Sequence, residues 1–373
     1  MPTSPLPEHA VRLSELDEAR RQTVPGVQLA VLRGAAPRLR ERIRASGKPS
    51  CVRTFDLITF PYPAKFALGG AAWSPAPYVM MTNRVQLVRF EAGGATRTLL
   101  CNPSDYERSR EAPFFKKTAE MAGEFLTNHV LSHRHGAVEI HLANAGIEPD
   151  EIDYITFDHL HVQDLRGWLG PSGRFPRAKL LVQREELETV ADPSPLQAVW
   201  YVADALAGVA AERIVPLDDD VLLGPGVALV RTPGHTRGNH SIVLNTDDGM
   251  WVISENGVAV DAYSPRASRI AGVARHARTW DVEVILNSNT RENTMDQYNS
   301  MVLERLLADP CKHAPEWPQF FPSSELTRHW MAPGLAPTYS HGAITHGDLV
   351  VGRARPAPLR SVPAGAQPTA ARH

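Results

Sequence analysis

Two histidines one residue apart, His159 and His161, follow a short apolar run, Asp153-Tyr154-Ile155-Thr156-Phe157. The run is rich in β-branched and aromatic residues and predicts a strand. On an extended backbone alternate side chains share a face, so both imidazoles point the same way. Two imidazoles on one face can hold a transition ion from one side. Asp164, three residues beyond His161, adds an oxygen ligand or a base. By itself a His-x-His pair is no more than two polar loop residues. The segment Thr232-Pro233-Gly234-His235-Thr236-Arg237-Gly238-Asn239-His240 gives it a partner. There a Pro-Gly turn ends one strand and presents His235, and Gly238 offers a second turn before a strand from Ser241 to Asn245.

Together these segments resemble the metallo-β-lactamase fold superfamily of metal-dependent hydrolases. The likeness runs from about Thr82 to about Leu307 and includes the lead-in Gly146 to Ile155 and the later segment Phe175 to Gln183. It implies an α/β fold, a four-layer αββα sandwich of two mostly antiparallel or mixed sheets. It also implies that His159, His161 and His235 form a three-imidazole metal position with an open fourth place. A dication there lowers the pKa of a water toward about 7. The second metal position departs from the family pattern. Gln163 and Asp164 stand where an Asp and a His are usual, Glu255 stands for the bridging Asp, and the last His falls near Asn287 or Asn289. The expectation is one ion per chain, on the three histidines and Glu255, with any second ion loosely held by Asp164, Glu255 and an amide. Zinc is the first choice, and iron and manganese also suit mixed nitrogen and oxygen donors.

Two functions follow. One is a metal-dependent hydrolase of an ester, lactone or related acyl bond, with Asp164 or Glu255 moving the proton. The other is a non-hydrolytic member of the fold: an iron-dependent oxygenase, or a ligand-binding protein whose catalytic set has decayed. Gln163 is the residue that favours the second. Arg166 and Arg237 flank the site and could meet a substrate anion, or simply face water. His240 is a supporting residue or a structural one.

Composition narrows the partners. The 373 residues are 43% hydrophobic and 21% charged, with 39 basic and 41 acidic side chains for a net charge of −2. That balance gives no case for nucleic acid or an anionic membrane as main partner, and a small-molecule substrate is what the resemblance implies. No run of apolar residues is long enough to span a bilayer, and the N-terminal segment lacks the apolar stretch of a signal peptide. Cys51, Cys101 and Cys311 are scattered and odd in number, which points to a reducing, cytoplasmic setting.

Around the site the chain divides into an accessory segment (1–50), the main domain (51–309), an extension (310–352) and a proline-rich mobile tail (353–373). The spacing predicts a helix in Pro7 to Arg21. Arg38, Arg40, Arg42 and Arg44 form either a phosphate strip or a solvated face. Strands are expected at Cys51 to Phe60, Thr82 to Phe90 and Thr96 to Cys101, the last two joined by a Gly93-Gly94 hairpin. Helices are expected over Phe114 to Ala145, capped by Gly146, over Glu185 to Val190, Pro195 to Ala211 and Met295 to Leu307. Further strands are expected at Lys179 to Gln183, Met250 to Ser254 and Val282 to Leu286. His129, His133, His135 and His141 read as surface or hydrogen-bonded residues. The loop Pro61 to Tyr78 offers Phe66 and Trp73 either as a pocket wall or as staples for the loop itself.

Overall fold

The computed structural model describes residues 5–122, 132–330 and 332–349. Two sheets form the centre. One has the strand order Val11–Leu13, Asp220–Gly224, Val227–Arg231, His240–Thr246, Gly249–Ser254 and Phe320–Pro322, antiparallel except for the last pair. The other runs Thr345–Gly347, Cys51–Pro63, Tyr78–Ala92, Ala95–Cys101, Tyr154–Thr156, Lys179–Gln183 and Ile214–Leu217. It is antiparallel up to Ala95–Cys101 and parallel beyond, and Ser324–Thr327 and His133–Arg134 pair onto its long strands.

The alternation of side chains along each strand sorts the core into layers. Val52, Val88, Phe90 and Leu99 of one sheet meet Leu223, Leu229, Ile242, Leu244 and Ile253 of the other. The alternate residues point outward. Ala228, Val230, Val243 and Val252 pack under Leu32, Leu39 and Ile43 of helix Pro25–Ala45 and Met301 and Leu307 of helix Thr294–Leu307. On the opposite outside, Leu87, Leu100, Ile155 and Leu180 lie under Val138 and Leu142 of helix Val138–Ala145 and under Trp168 and Leu169. Helix, sheet, sheet, helix is the expected αββα order.

Several elements follow their local signals. The hairpin turns at Gly93 and Gly94, both with positive φ, and Gly146 ends its helix in the left-handed conformation. Other expectations need correction. Among the described residues Phe114 to Ala145 is not one helix: helix Pro113–Ala122 and helix Val138–Ala145 flank the strand His133–Arg134. His129 and the rest of 123–131 lie outside the described residues, as does the tail 353–373. His135 and His141 are hydrogen-bonded, to Thr59 Oγ1 and to the Asp56 carbonyl.

Pro195 to Ala211 carries a helical pattern, yet only a short 3-10 turn forms, Ala198–Trp200. Its carbonyls are engaged elsewhere: Trp200 O accepts from Val162 N at 2.7 Å and Ala205 O from Leu165 N at 2.9 Å. Positive φ at Asp204 and Gly208 bends the rest. Tertiary bonding to the histidine loop thus overrides local propensity. Val282 to Leu286 is no strand either; Ile285 N donates to Ala262 O and Asn287 N to Asn256 O, loop to loop.

At the N-terminal end Val11–Leu13 is a strand, and only Asp17–Arg20 within the expected helix is helical. Arg12 and Arg20 pair with Asp219 and Asp220. In helix Pro25–Ala45 the arginines divide: Arg40 and Arg44 hold Asp309, while Arg38 and Arg42 are exposed.

Candidate metal centre

Four strands of the two sheets deliver their C-terminal ends to one rim. Tyr154–Thr156 leads into Asp158, His159 and His161; Val227–Arg231 leads into His235; Gly249–Ser254 leads into Glu255; Ala95–Cys101 leads into Asn102. One donor nitrogen from each of His159, His161 and His235 lies within 4.8 Å of the others. His161 Nδ1 and His235 Nε2 are 3.2 Å apart. Two nitrogens on a tetrahedral ion with bonds of 2.0–2.1 Å stand about 3.3 Å apart, so the spacing fits a shared ion.

The protonation states suit the same purpose. Burial, and then the neighbouring imidazoles, hold His161 and His235 well below the ordinary histidine range, so both are neutral donors. His159 Nδ1 sits 2.7 Å from Asp158 Oδ1, and the same oxygen accepts from His159 N. That bond assigns the ring proton to Nδ1 and turns Nε2 toward the other imidazoles. Asp158 is in turn held by Ser323 Oγ, and its own N–H donates to Asn102 Oδ1 at 3.0 Å. Asn287 contacts His235 Nδ1 at 3.3 Å and accepts from Tyr62 OH.

The expected acids part company. Glu255 lines the same cavity as the three histidines but, against expectation, is not among the donors that cluster with them, and it accepts from Ser324 N at 2.8 Å. Burial, reinforced by Asp158, pushes its carboxyl well above the usual range. Asp164 is turned away. Its carboxylate takes Arg166 Nε and Nη2 at 2.8 Å each and Arg108 Nη1 at 3.1 Å, and it belongs neither to the histidine cluster nor to the cavity lining. Arg166 is therefore engaged with Asp164, and Arg237 is exposed. His240 is fully buried, bonded to Thr156 Oγ1, and lowered to about 4 by burial.

Gln163 and Asn289 both line the cavity, each with an amide oxygen, Oε1 and Oδ1, that has no partner. Tyr62, which also lines the cavity, donates its OH to Asn287 Oδ1 at 3.0 Å. The apolar wall comes from Ile58, Phe60, Met81, Phe114, Phe115 and Trp200. This corrects the expected wall: Phe66 faces a separate outer groove, and Trp73 is 60% exposed, under Arg275.

Sequence reasoning missed Asp158, although it adjoins His159. It also missed Trp200, hidden in a segment that reads as an ordinary amphipathic helix. Gly238 has the sequence context of a turn residue, but a Cβ there would stand 2.2 Å from Glu186 N. It permits close approach of helix Arg184–Ala191 to the His235 loop.

No family model matches the chain. An N-acyl homoserine lactonase of Bacillus thuringiensis subsp. kurstaki is 32% identical over 112 residues, 30% of this chain and 40% of that protein. One from Rhizobium radiobacter is 28% identical over 120 residues, 31% of this chain and 44% of that protein. The chain thus matches less than half the length of these curated relatives. Among solved structures, a quorum-quenching N-acyl homoserine lactone lactonase has a TM-score of 0.44 at 18% identity, over 64% of this chain and 90% of that one. A probable metal-dependent hydrolase from Staphylococcus aureus has a TM-score of 0.46 at 13% identity, over 68% and 83%.

Proposed function

We propose that this chain, which has the metallo-β-lactamase fold, is a metal-dependent hydrolase of a lactone, ester or related acyl bond. The observation that carries the reading is the convergence of three neutral imidazole nitrogens, from two loops far apart in sequence, on one point. The similarity to N-acyl homoserine lactonases over 112 residues supports it.

His159, His161 and His235 would hold a single ion, zinc by preference, with iron or manganese compatible with the same donors. When bound, such an ion supplies a Lewis acid for the acyl carbonyl and acidifies a water. The chain's own residues supply the rest. Asp158 fixes the ring of His159. Glu255, anchored by Ser324 N and lining the same cavity, would in its ionised form take a proton from the attacking water and return it to the leaving oxygen. The aromatic wall excludes water and accepts the apolar part of the substrate. Asp164 has no place in this scheme, because two arginines hold it outside the cavity.

Gln163 and Asn289 favour one ion over two, since a neutral amide is a poor partner for a second dication. The non-hydrolytic reading rests on the same two residues. It is separated by loading the chain with ferrous iron and following oxygen uptake. The three free, buried cysteines fit a reducing compartment, and on this reading the protein works in the cytoplasm.

Elemental analysis of protein purified without added metal tests the proposal. The expected result is one ion per chain, with loss of both the ion and the turnover of lactones and p-nitrophenyl esters in His161→Ala. Full turnover by metal-free protein refutes it.

A further inference from the structure

Glu186 forms no hydrogen bond to any of the three imidazoles, yet it ties together the loops that carry them. It lies in the first turn of helix Arg184–Ala191 and is fully buried. Its Oε1 accepts from Leu160 N at 2.8 Å, the residue between His159 and His161. Its Oε2 accepts from Thr236 Oγ1 at 2.5 Å, the residue after His235. Oε1 also accepts from Tyr201 OH at 3.1 Å, and the Tyr201 ring stands edge-on to His161 with centroids 4.8 Å apart.

We propose that Glu186 is a positioning residue that sets the separation of the two histidine loops, so that their nitrogens meet one ion. This rests on the metal-centre reading above. One carboxylate spans both loops, and each of its oxygens is committed to a different one. Gly238 completes the joint, because any side chain there would run into the backbone of Glu186. Burying a carboxylate is costly, and three hydrogen bonds to it are what a fixed joint requires. The other face of the His235 loop is held separately, by Asn256 Oδ1 on His235 N and by Glu304 on Asn256. Glu186 is thus the hydrogen-bonding side chain that links this loop to the His159–His161 loop through Leu160 and Thr236.

The test compares the parent chain with Glu186→Leu, Glu186→Gln and Thr236→Val. Zinc affinity is read by competition with a chromophoric chelator, and folding by circular dichroism and melting of the metal-free protein. Groups that hydrogen-bond metal ligands directly are typically worth about 10–100-fold in metal affinity, and Glu186→Leu, acting through the loops, is expected to lose about tenfold, the low end, while still folded. Glu186→Gln keeps an acceptor for Leu160 and Tyr201 and should recover most of the loss. Thr236→Val removes one tie at constant shape and should weaken binding several-fold. If Glu186→Leu fails to fold, the other two variants decide the matter. Zinc binding by folded variants as tight as in the parent overturns the proposal. Equal weakening in Glu186→Gln and Glu186→Leu also overturns it, in favour of a charge effect. A parent chain that binds no zinc sinks the metal-centre reading instead.

Discussion

Trp200 and Phe114 pack ring on ring, with centroids 4.3 Å apart and planes tilted by 31°. Both residues line the inner cavity beside the histidines, and both line the outer groove formed by Pro63, Phe66 and Tyr78. The pair is a partition between the two spaces.

Removing the partition should lengthen the site. Trp200→Ala is expected to raise activity on p-nitrophenyl decanoate relative to the butyrate, at a stability cost of about 3–5 kcal/mol. Phe114→Ala should move the same ratio with a smaller loss of stability, because Phe114 is only half-buried. An unchanged ratio in both variants would show that the acyl group does not reach these rings.

Trp73→Ala, by contrast, should leave turnover unchanged. The ring is 60% exposed and stacks under Arg275, outside the cavity. A change in melting free energy of about 1 kcal/mol or less is expected, the scale of an exposed cation–π contact. A fall in kcat/KM of tenfold or more would put Trp73 back among the substrate contacts.

Asp164 should matter for stability and not for metal. Burial pushes its carboxyl up, but hydrogen bonds from Arg166 and Arg108 outweigh that and hold it below the usual carboxylate range. A folded-state pKa below the unfolded one contributes stability above the unfolded value, and that stability is lost as pH falls through the folded value. Asp164→Asn is therefore expected to lower stability at neutral pH by about 1–3 kcal/mol. Its deficit should shrink below about pH 4. Zinc content should match the parent. Loss of zinc with an unchanged melting profile would reverse this assignment.

Gln163→Asp should replace an amide whose oxygen has no partner, and whose nitrogen donates to Ser104 Oγ, by a charged oxygen ligand inside the cavity. Together with Asn289→His, it is expected to raise zinc stoichiometry from about one toward two per chain at saturating metal. Stoichiometry fixed at one in the double variant would show that the cavity geometry, and not the donor types, excludes a second ion.

The meeting of the three histidines was legible in the sequence because its signals are local. His159 and His161 share a strand end, and His235 follows a Pro-Gly turn. The hairpin at Gly93-Gly94 and the cap at Gly146 are local in the same sense. Glu186 and Trp200 were not legible. Their roles depend on bonds to residues far off in the chain, such as Thr236 and Val162, and their own neighbourhoods look like ordinary helix. Asp164 misled for the converse reason. Proximity in sequence to His161 says nothing about direction, and Arg108, from a distant segment, captures it. Trp73 and Trp200 show the same limit, since composition cannot tell which aromatic faces inward.

The strand Val11–Leu13 has a consequence for solubility. It pairs along the whole of Asp220–Leu222 and so occupies what would otherwise be an open row of amide and carbonyl groups. Bare strand borders recruit other chains. The opposite border ends in Pro322, whose ring cannot donate. Trimming the first fifteen or so residues uncovers that margin and is expected to promote self-association, which light scattering of the full and shortened chains checks.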